Sequence, residues 1–151
     1  MCEKILLIDG HSILNRAFYG LPDLTNSEGL HTGAVYGFLN ILFKVLGEEK
    51  PEYLAVAFDR SEPTFRHAKY PEYKGTRTPM PQELKEQMPL LKEMLEKMGI
   101  ATVSLAGFEA DDILGTLAKK GEEKGLDVII LSGARDLLQL ATNKTMIRLP
   151  R

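Results

Sequence analysis

The sequence predicts an α/β domain with three layers, in which a mostly parallel sheet lies between helices. Short apolar runs recur along the chain, and segments with helical spacing of apolar residues lie between them. Strands that alternate with helices form parallel sheets, because each crossover returns the chain to the same end of the sheet. A chain of 151 residues, 44% of them hydrophobic, is long enough for one such domain with a real core.

Five apolar runs are the predicted strands, with the last one the most weakly patterned: residues 5–8, 53–58, 101–105, 128–131 and 145–149. Each has the length of a buried strand and is far shorter than the roughly 18 apolar residues of a membrane span. The first four residues lead directly into the first run and leave no room for a signal-peptide core. We therefore expect no membrane association.

Helical spacing predicts four helices between the strands, over residues 32–47, 84–98, 109–124 and, more briefly, 135–141. Thr32 is the expected N-cap of the first helix, which ends near Gly47. Pro89 should kink or split the second, because proline has no backbone N–H and disfavours helical geometry at the preceding residue.

Composition narrows the function classes. The 19 basic and 21 acidic residues give a net charge of −2, which argues against a protein that simply coats DNA or an acidic membrane. The single cysteine, Cys2, permits neither an internal disulfide nor a cysteine zinc site. A reducing compartment, and hence the cytoplasm, is the expected location.

Acidic residues follow the predicted strands, at the ends where ligands bind in open parallel sheets. They come from four segments of the chain: Asp9, Asp59, the group Glu109, Asp111 and Asp112, and Asp136. Each acid alone has an ordinary explanation, since acids favour helix N-termini and aspartate is common in turns. Together, at one edge of a sheet, they would repel each other unless cations bind.

An all-oxygen ligand set without cysteine suits Mg²⁺ or Mn²⁺ rather than zinc. Two such ions about 3.5 to 4 Å apart activate a water and stabilise the leaving oxygen in phosphodiester hydrolysis. The acids therefore predict a metal-dependent hydrolase of phosphodiesters. The three histidines are too scattered to suggest a catalytic one, and we expect His11 to be packed or to cap the first turn.

A proline-punctuated segment, residues 60–81, carries five basic residues against two acidic ones and interleaves them with aromatic rings. This composition is typical of segments that follow a phosphate backbone and stack bases. Because the segment comes directly after Asp59, we expect it to emerge beside the acids. Lys74 and Arg77, three residues apart, can both reach a phosphate there if that stretch is helical.

These residues together resemble the N-terminal part of the 5′–3′ exonuclease domain of bacterial DNA polymerase I, in the PIN-like (resolvase-like), flap-endonuclease group. The matching segments run in the family's order along nearly the whole chain: LLIDGHS at 6–12, FD at 58–59, TFR at 64–66, YKGTR at 73–77, PMP at 79–81, EADD at 109–112 and SGARDL at 132–137. The combination is far more specific than any one motif.

The resemblance implies a Mg²⁺- or Mn²⁺-dependent 5′ nuclease of structured DNA, such as a 5′ flap or a nicked duplex, that serves replication and repair. It implies that two ions are held by the six acids named above. Lys74 and Arg77 would be catalytic residues of an arch that engages the scissile phosphate. Arg66 and Tyr73 would join them in binding DNA. A polymerase domain in the same full-length chain is the implied partner.

Two departures from the family pattern bear on activity. The family's Gly-Asp-x-Asp is Gly133-Ala134-Arg135-Asp136 here, so a methyl group replaces a metal-associated carboxylate. The chain, read as a single domain over residues 1–151, also lacks the family's helix-hairpin region, which should weaken duplex binding. Two alternatives stay open: a DNA-binding remnant that has lost catalysis, and a PIN-type ribonuclease.

Overall fold

The computed structural model describes residues 3–20, 32–59, 82–105, 107–133 and 135–150. Five strands form one sheet: β1 Lys4–Asp9, β2 Tyr53–Ala57, β3 Ala101–Val103, β4 Asp127–Leu131 and β5 Thr145–Arg148. Their order is β3-β2-β1-β4-β5, and each neighbouring pair is parallel. The predicted parallel sheet is confirmed, with β1 at its centre.

The helices of the described residues are α1 Gly10–Gly20, α2 Gly33–Glu49, α3 Gln82–Lys97 and α4 Ala110–Glu123, followed by a 3₁₀ helix over Arg135–Leu140. Three of the predicted helices correspond to α2, α3 and α4, while the fourth is 3₁₀ rather than α. Helix α1 was not among the predicted helices. None of these described helices is long and apolar enough to cross a bilayer.

Two hydrophobic clusters cover the two faces of the sheet, as a three-layer domain requires. Leu6 and Ile8 of β1 point into one cluster, which packs against α1, α2 and α3. Leu7, between them, points into the other cluster, which packs against α4. Alternate side chains of a strand face opposite sides, so a continuous apolar run is what a strand buried on both faces needs.

Pro89 lies inside α3, and the helix continues through it without a break. The expected split is therefore wrong. Proline removes the hydrogen bond that its nitrogen would donate to the carbonyl of Lys85. Both Pro89 and Lys85 lie on the exposed face of α3, so water can satisfy that carbonyl.

Thr32 is the N-cap residue of α2, as predicted, but its side chain makes no capping bond, and a side chain from another helix caps the N-terminus instead. Gln87 of α3 is 1% exposed. Its Oε1 accepts the backbone N–H groups of Ala34 at 2.7 Å and Val35 at 3.1 Å. Its Nε2 donates to the carbonyl oxygen of Glu83. One buried amide thus satisfies two donors that a helix start leaves unpaired and joins α2 to α3.

Replacing Gln87 with methionine keeps the side-chain volume but removes the acceptor of both N–H groups. We expect Gln87→Met to lower the free energy of unfolding by about 1 to 3 kcal/mol, the usual cost of a buried polar group without a partner. Urea denaturation measures this. Glu86→Met, at an exposed position of the same helix, is the control and should stay within about 0.5 kcal/mol of the native protein. Equal losses in both variants would contradict the role of the amide.

Candidate active site at the carboxyl edge of the sheet

Asp9, the last residue of the central strand, is held in place by two serines. Its carboxylate is buried, with the residue 5% exposed. Oδ1 accepts the backbone N–H of Ser12 at 3.2 Å, and Oδ2 accepts the hydroxyl of the fully buried Ser132 at 3.1 Å. Donors to a carboxylate stabilise its charged form and fix its orientation.

The same serines join α1 to the segment that follows β4. The hydroxyl oxygen of Ser12 accepts the backbone N–H of Gly133 at 2.7 Å. This bond fixes the start of the segment that leads to Ala134 and Asp136. Sequence analysis did not single out Ser12 or Ser132 as site residues. The sequence signal for them was a polar residue close after a strand, and many ordinary turns have such a residue.

The junction between β1 and α1 packs tightly against the end of β2. A Cβ built on Gly10 would lie 2.4 Å from the ring of Phe58, which is closer than any side chain tolerates. Only glycine fits this approach. The register agrees, since Asp9 pairs with Ala57, two residues before Asp59. Asp9, the last residue of β1, and Asp59, two residues beyond the end of β2, therefore lie at the same edge of the sheet.

Asp59 is held by both of the helices that begin at this edge. Its Oδ1 accepts the backbone N–H of Ala110, the first residue of α4, at 2.6 Å. Its own backbone N–H donates to Nδ1 of His11 in α1 at 3.3 Å. His11 is packed edge-on against Phe58, which agrees with one of the two roles predicted for it. It contacts a predicted metal ligand.

Glu109 and Asp112 form a capping box at the start of α4. The side chain of Glu109 accepts the backbone N–H of Asp112, and the carboxylate of Asp112 accepts the backbone N–H of Glu109 at 3.1 Å. Glu109 is 4% exposed. Asp111 lies between them in the first turn. The capping bonds and the favourable interaction of acids with the helix dipole therefore explain part of this acidic group without a metal ion.

Five of the six predicted ligands thus lie at the sheet edge by backbone position: Asp9, Asp59, Glu109, Asp111 and Asp112. Asp136 is in the 3₁₀ helix after β4, but its side chain is outside the described part of the structure, as is Ala134. Among the described side chains, no three from histidine, cysteine, aspartate and glutamate are grouped closely enough to hold an ion. The metal centre therefore stays a prediction. Four predicted DNA-contacting residues also lie outside the described residues: Arg66, Tyr73, Lys74 and Arg77.

The sheet order, the layers and the acidic carboxyl edge define a PIN-like, resolvase-like α/β domain. Comparison with known proteins agrees: the model of the family described as 5′–3′ exonuclease, N-terminal resolvase-like domain, matches residues 4–149. The chain belongs to this family.

Curated relatives of the chain include bacterial DNA polymerases I. The chain is 50% identical to that of Bacillus subtilis (strain 168) over 149 residues, which cover 99% of this chain and 17% of the polymerase. It is 44% identical to that of Streptococcus pneumoniae (strain R6) over 153 aligned positions, which cover 99% of this chain and 17% of the polymerase. The chain thus spans about one sixth of the length of the relatives it matches.

Solved structures from bacteriophage T5 share the fold at low sequence identity. One is the T5 flap endonuclease in a pseudo-enzyme–product complex with DNA and metal ions, with a TM-score of 0.73 and 23% identity. Another is the T5 5′-exonuclease with bound zinc, with a TM-score of 0.71 and 22% identity. Each comparison covers 97% of this chain and 55% of the T5 protein.

Removing the hydroxyl of Ser132 should expose how strongly the fold depends on the bonds to Asp9. We expect Ser132→Ala to lower the free energy of unfolding by about 1.5 to 3 kcal/mol, because a buried carboxylate loses a hydrogen bond. Ser104→Ala, at an exposed position after β3, is the control and should change stability by less than about 0.5 kcal/mol. Denaturant unfolding compares the two. Equal stability of both variants would rule out a buried bond between Ser132 and Asp9.

Proposed function

We propose that this chain is the N-terminal part of a metal-dependent 5′ nuclease domain that cleaves structured DNA, such as a 5′ flap or a nicked duplex. One observation carries the proposal above all: in a chain of this family, Asp9, Asp59 and the acidic start of α4 lie at one edge of a parallel sheet. Ligands bind at that edge in open α/β sheets. The T5 proteins of the same fold, solved with metal ions and DNA, support the assignment.

The donor set fits a hard divalent cation. Within the described ranges, the edge offers carboxylate oxygens and no thiolate, and Mg²⁺ and Mn²⁺ prefer oxygen ligands. A carboxylate has about four lone-pair sites, so bonds to protein donors do not prevent it from acting as a ligand. We propose six ligands: Asp9, Asp59, Glu109, Asp111, Asp112 and Asp136. Two bound ions would activate the attacking water and stabilise the leaving oxygen.

The described side chains supply orientation for this chemistry. Ser12 and Ser132 fix the carboxylate of Asp9 from two sides, at 3.2 and 3.1 Å. The first N–H of α4 fixes the carboxylate of Asp59 at 2.6 Å. Both ligands are thus held by backbone or buried groups before substrate arrives. Such preorganisation lowers the energetic cost of forming the reactive geometry.

We assign the substrate contacts to the segment that follows Asp59. Lys74 and Arg77 stabilise the negative charge that develops on the phosphate, without a proton transfer. Arg66 and Tyr73 contact the DNA backbone and stack on bases. We further propose that residues 1–151 form one domain, which works in the cytoplasm beside a polymerase domain of the same full-length chain.

Ala134 supports a second candidate, a DNA-binding domain without catalysis. A methyl group cannot bind a metal, and it stands where the family pattern has a carboxylate. One of the two ion positions should therefore be weakened.

Restoring the carboxylate separates these candidates. We expect Ala134→Asp to cleave a 5′-flap duplex faster than the native chain in Mg²⁺ or Mn²⁺, by about 10- to 100-fold, the effect typical of groups that support a metal site. Single-turnover gel assays measure the rates. Ala141→Asp, an acid added at an exposed position after the 3₁₀ helix, is the charge-matched control and should change nothing.

If neither the native chain nor Ala134→Asp cleaves but both bind flap DNA, the non-catalytic candidate is correct. A native chain as fast as Ala134→Asp would contradict the role assigned to the missing carboxylate.

A further inference from the structure

His11 lies in the first turn of α1, two residues after Asp9, and its side chain is 26% exposed. The backbone N–H of Asp59 points at Nδ1 of this ring, with 3.3 Å between the two nitrogens. The same nitrogen lies 3.7 Å from Oδ2 of Asp59. When Nδ1 accepts the backbone N–H it carries no proton, and the proton of the neutral ring is then on Nε2. His11 is therefore an acceptor toward Asp59, through one defined nitrogen.

Asp59 lies just beyond the part of β2 that strand pairing fixes. The strand ends at Ala57. Just beyond it, the backbone N–H of Phe58 donates to the carbonyl oxygen of Val103 in the neighbouring strand β3, at 2.9 Å. The backbone of Asp59 is held by His11 instead, and its carboxylate is held by the N–H of Ala110 at 2.6 Å. Two bonds, one from each flanking helix, thus set both the main chain and the side chain.

The ring of His11 packs against a buried aromatic ring while it makes this bond. It meets the ring of Phe58 edge-on, with centroids 6.1 Å apart and planes at 72°. Phe58 is itself 1% exposed and in close contact with Gly10, and the amine of Lys92 lies 5.0 Å from its centroid. The contact with the buried ring of Phe58 restricts the positions that the imidazole can take beside Asp59.

We propose that His11 is a positioning residue for the metal site: its Nδ1 fixes the backbone at Asp59, so that the carboxylate of Asp59 is aimed at a divalent ion. This inference rests on the proposed function. His11 does not touch the reacting atoms, and no proton transfer is assigned to it. Its contribution is the acceptor at the δ position, which an amide oxygen at the same position can also supply.

Two amide variants distinguish the effect of the acceptor's position from the effect of side-chain packing. The Oδ1 of asparagine lies as many bonds from Cβ as Nδ1 of histidine does, whereas the Oε1 of glutamine lies one bond farther. We expect His11→Asn to bind Mn²⁺ within about threefold of the native protein. We expect His11→Gln and His11→Ala to bind it about 10- to 100-fold more weakly, as is typical when a group that orients a metal ligand is lost. Titration calorimetry with Mn²⁺ alone measures the affinities, and thermal melts confirm that each variant folds.

The same substitutions in the Ala134→Asp background give a second readout on flap DNA. We expect His11→Gln and His11→Ala to lower kcat about tenfold or more and to leave the KM for DNA within about twofold, because the substrate-contacting segment is untouched. His11→Asn should restore kcat. A role in packing alone would make asparagine, which lacks the ring, as damaging as alanine.

The outcomes distinguish the two claims. If Ala134→Asp cleaves and Mn²⁺ binds, but Asn, Gln and Ala at position 11 behave alike, the inference about His11 is overturned and the proposed function stands. If Mn²⁺ binds with the expected order of affinities but no variant cleaves, the proposed function fails and the positioning role stands. If Mn²⁺ does not bind the native protein, both are overturned.

Discussion

The carboxylate of Asp9, buried at the end of the central strand, is the constraint on which the rest of the site depends. A buried charge is costly unless donors surround it, and here the backbone of α1 and the hydroxyl of Ser132 supply them. These bonds connect the start of α1 and the residue that follows β4 to the same carboxylate. One buried side chain thus joins three elements at this edge: β1, α1 and the end of β4.

The parallel pairing of the strands explains why the other acidic residues lie at the same edge of the sheet as Asp9. β1 pairs with both β2 and β4, so segments distant in sequence reach the same edge as Asp9. The close approach of Gly10 to Phe58 then brings the end of β2 against the start of α1. The dipole of α4 favours an acidic first turn, so Glu109, Asp111 and Asp112 stabilise the start of the helix. This structural role is compatible with the ligand role that we propose for them.

Much of the fold could be predicted because its signals are local. Three consecutive apolar residues, Leu6, Leu7 and Ile8, mark a strand buried on both faces, and the structure buries all three. Helix α1 was missed because its first residues, Gly10 to Ser12, are typical of a turn after a strand. The spacing of its buried residues Ile13, Leu14 and Ala17 was the available signal. The split predicted at Pro89 was wrong, since a missing hydrogen bond on an exposed helix face can be replaced by water.

The place of five acidic residues at the sheet edge was predictable from the sequence, whereas the groups that bond to them were not. Acids after strands are visible in a sequence, whereas the bond from Ser132 to Asp9 joins residues 123 positions apart. The bond from Asp59 to His11 spans 48 positions, and no local pattern marks it. These contacts arise only when the sheet order is fixed. They are the part of the account that a three-dimensional structure adds.

The central claim is that the carboxyl edge of the sheet binds divalent ions through Asp9. Thermal unfolding with and without millimolar Mg²⁺ tests it in the native protein, in Asp9→Asn and in Asp127→Asn. Asp127 begins β4 at the opposite end of the sheet and serves as the matched control. An ion that binds the folded state raises its melting temperature. We predict that Mg²⁺ raises the melting temperature of the native protein and of Asp127→Asn but not of Asp9→Asn. No shift in the native protein, or an equal shift in Asp9→Asn, would contradict the account.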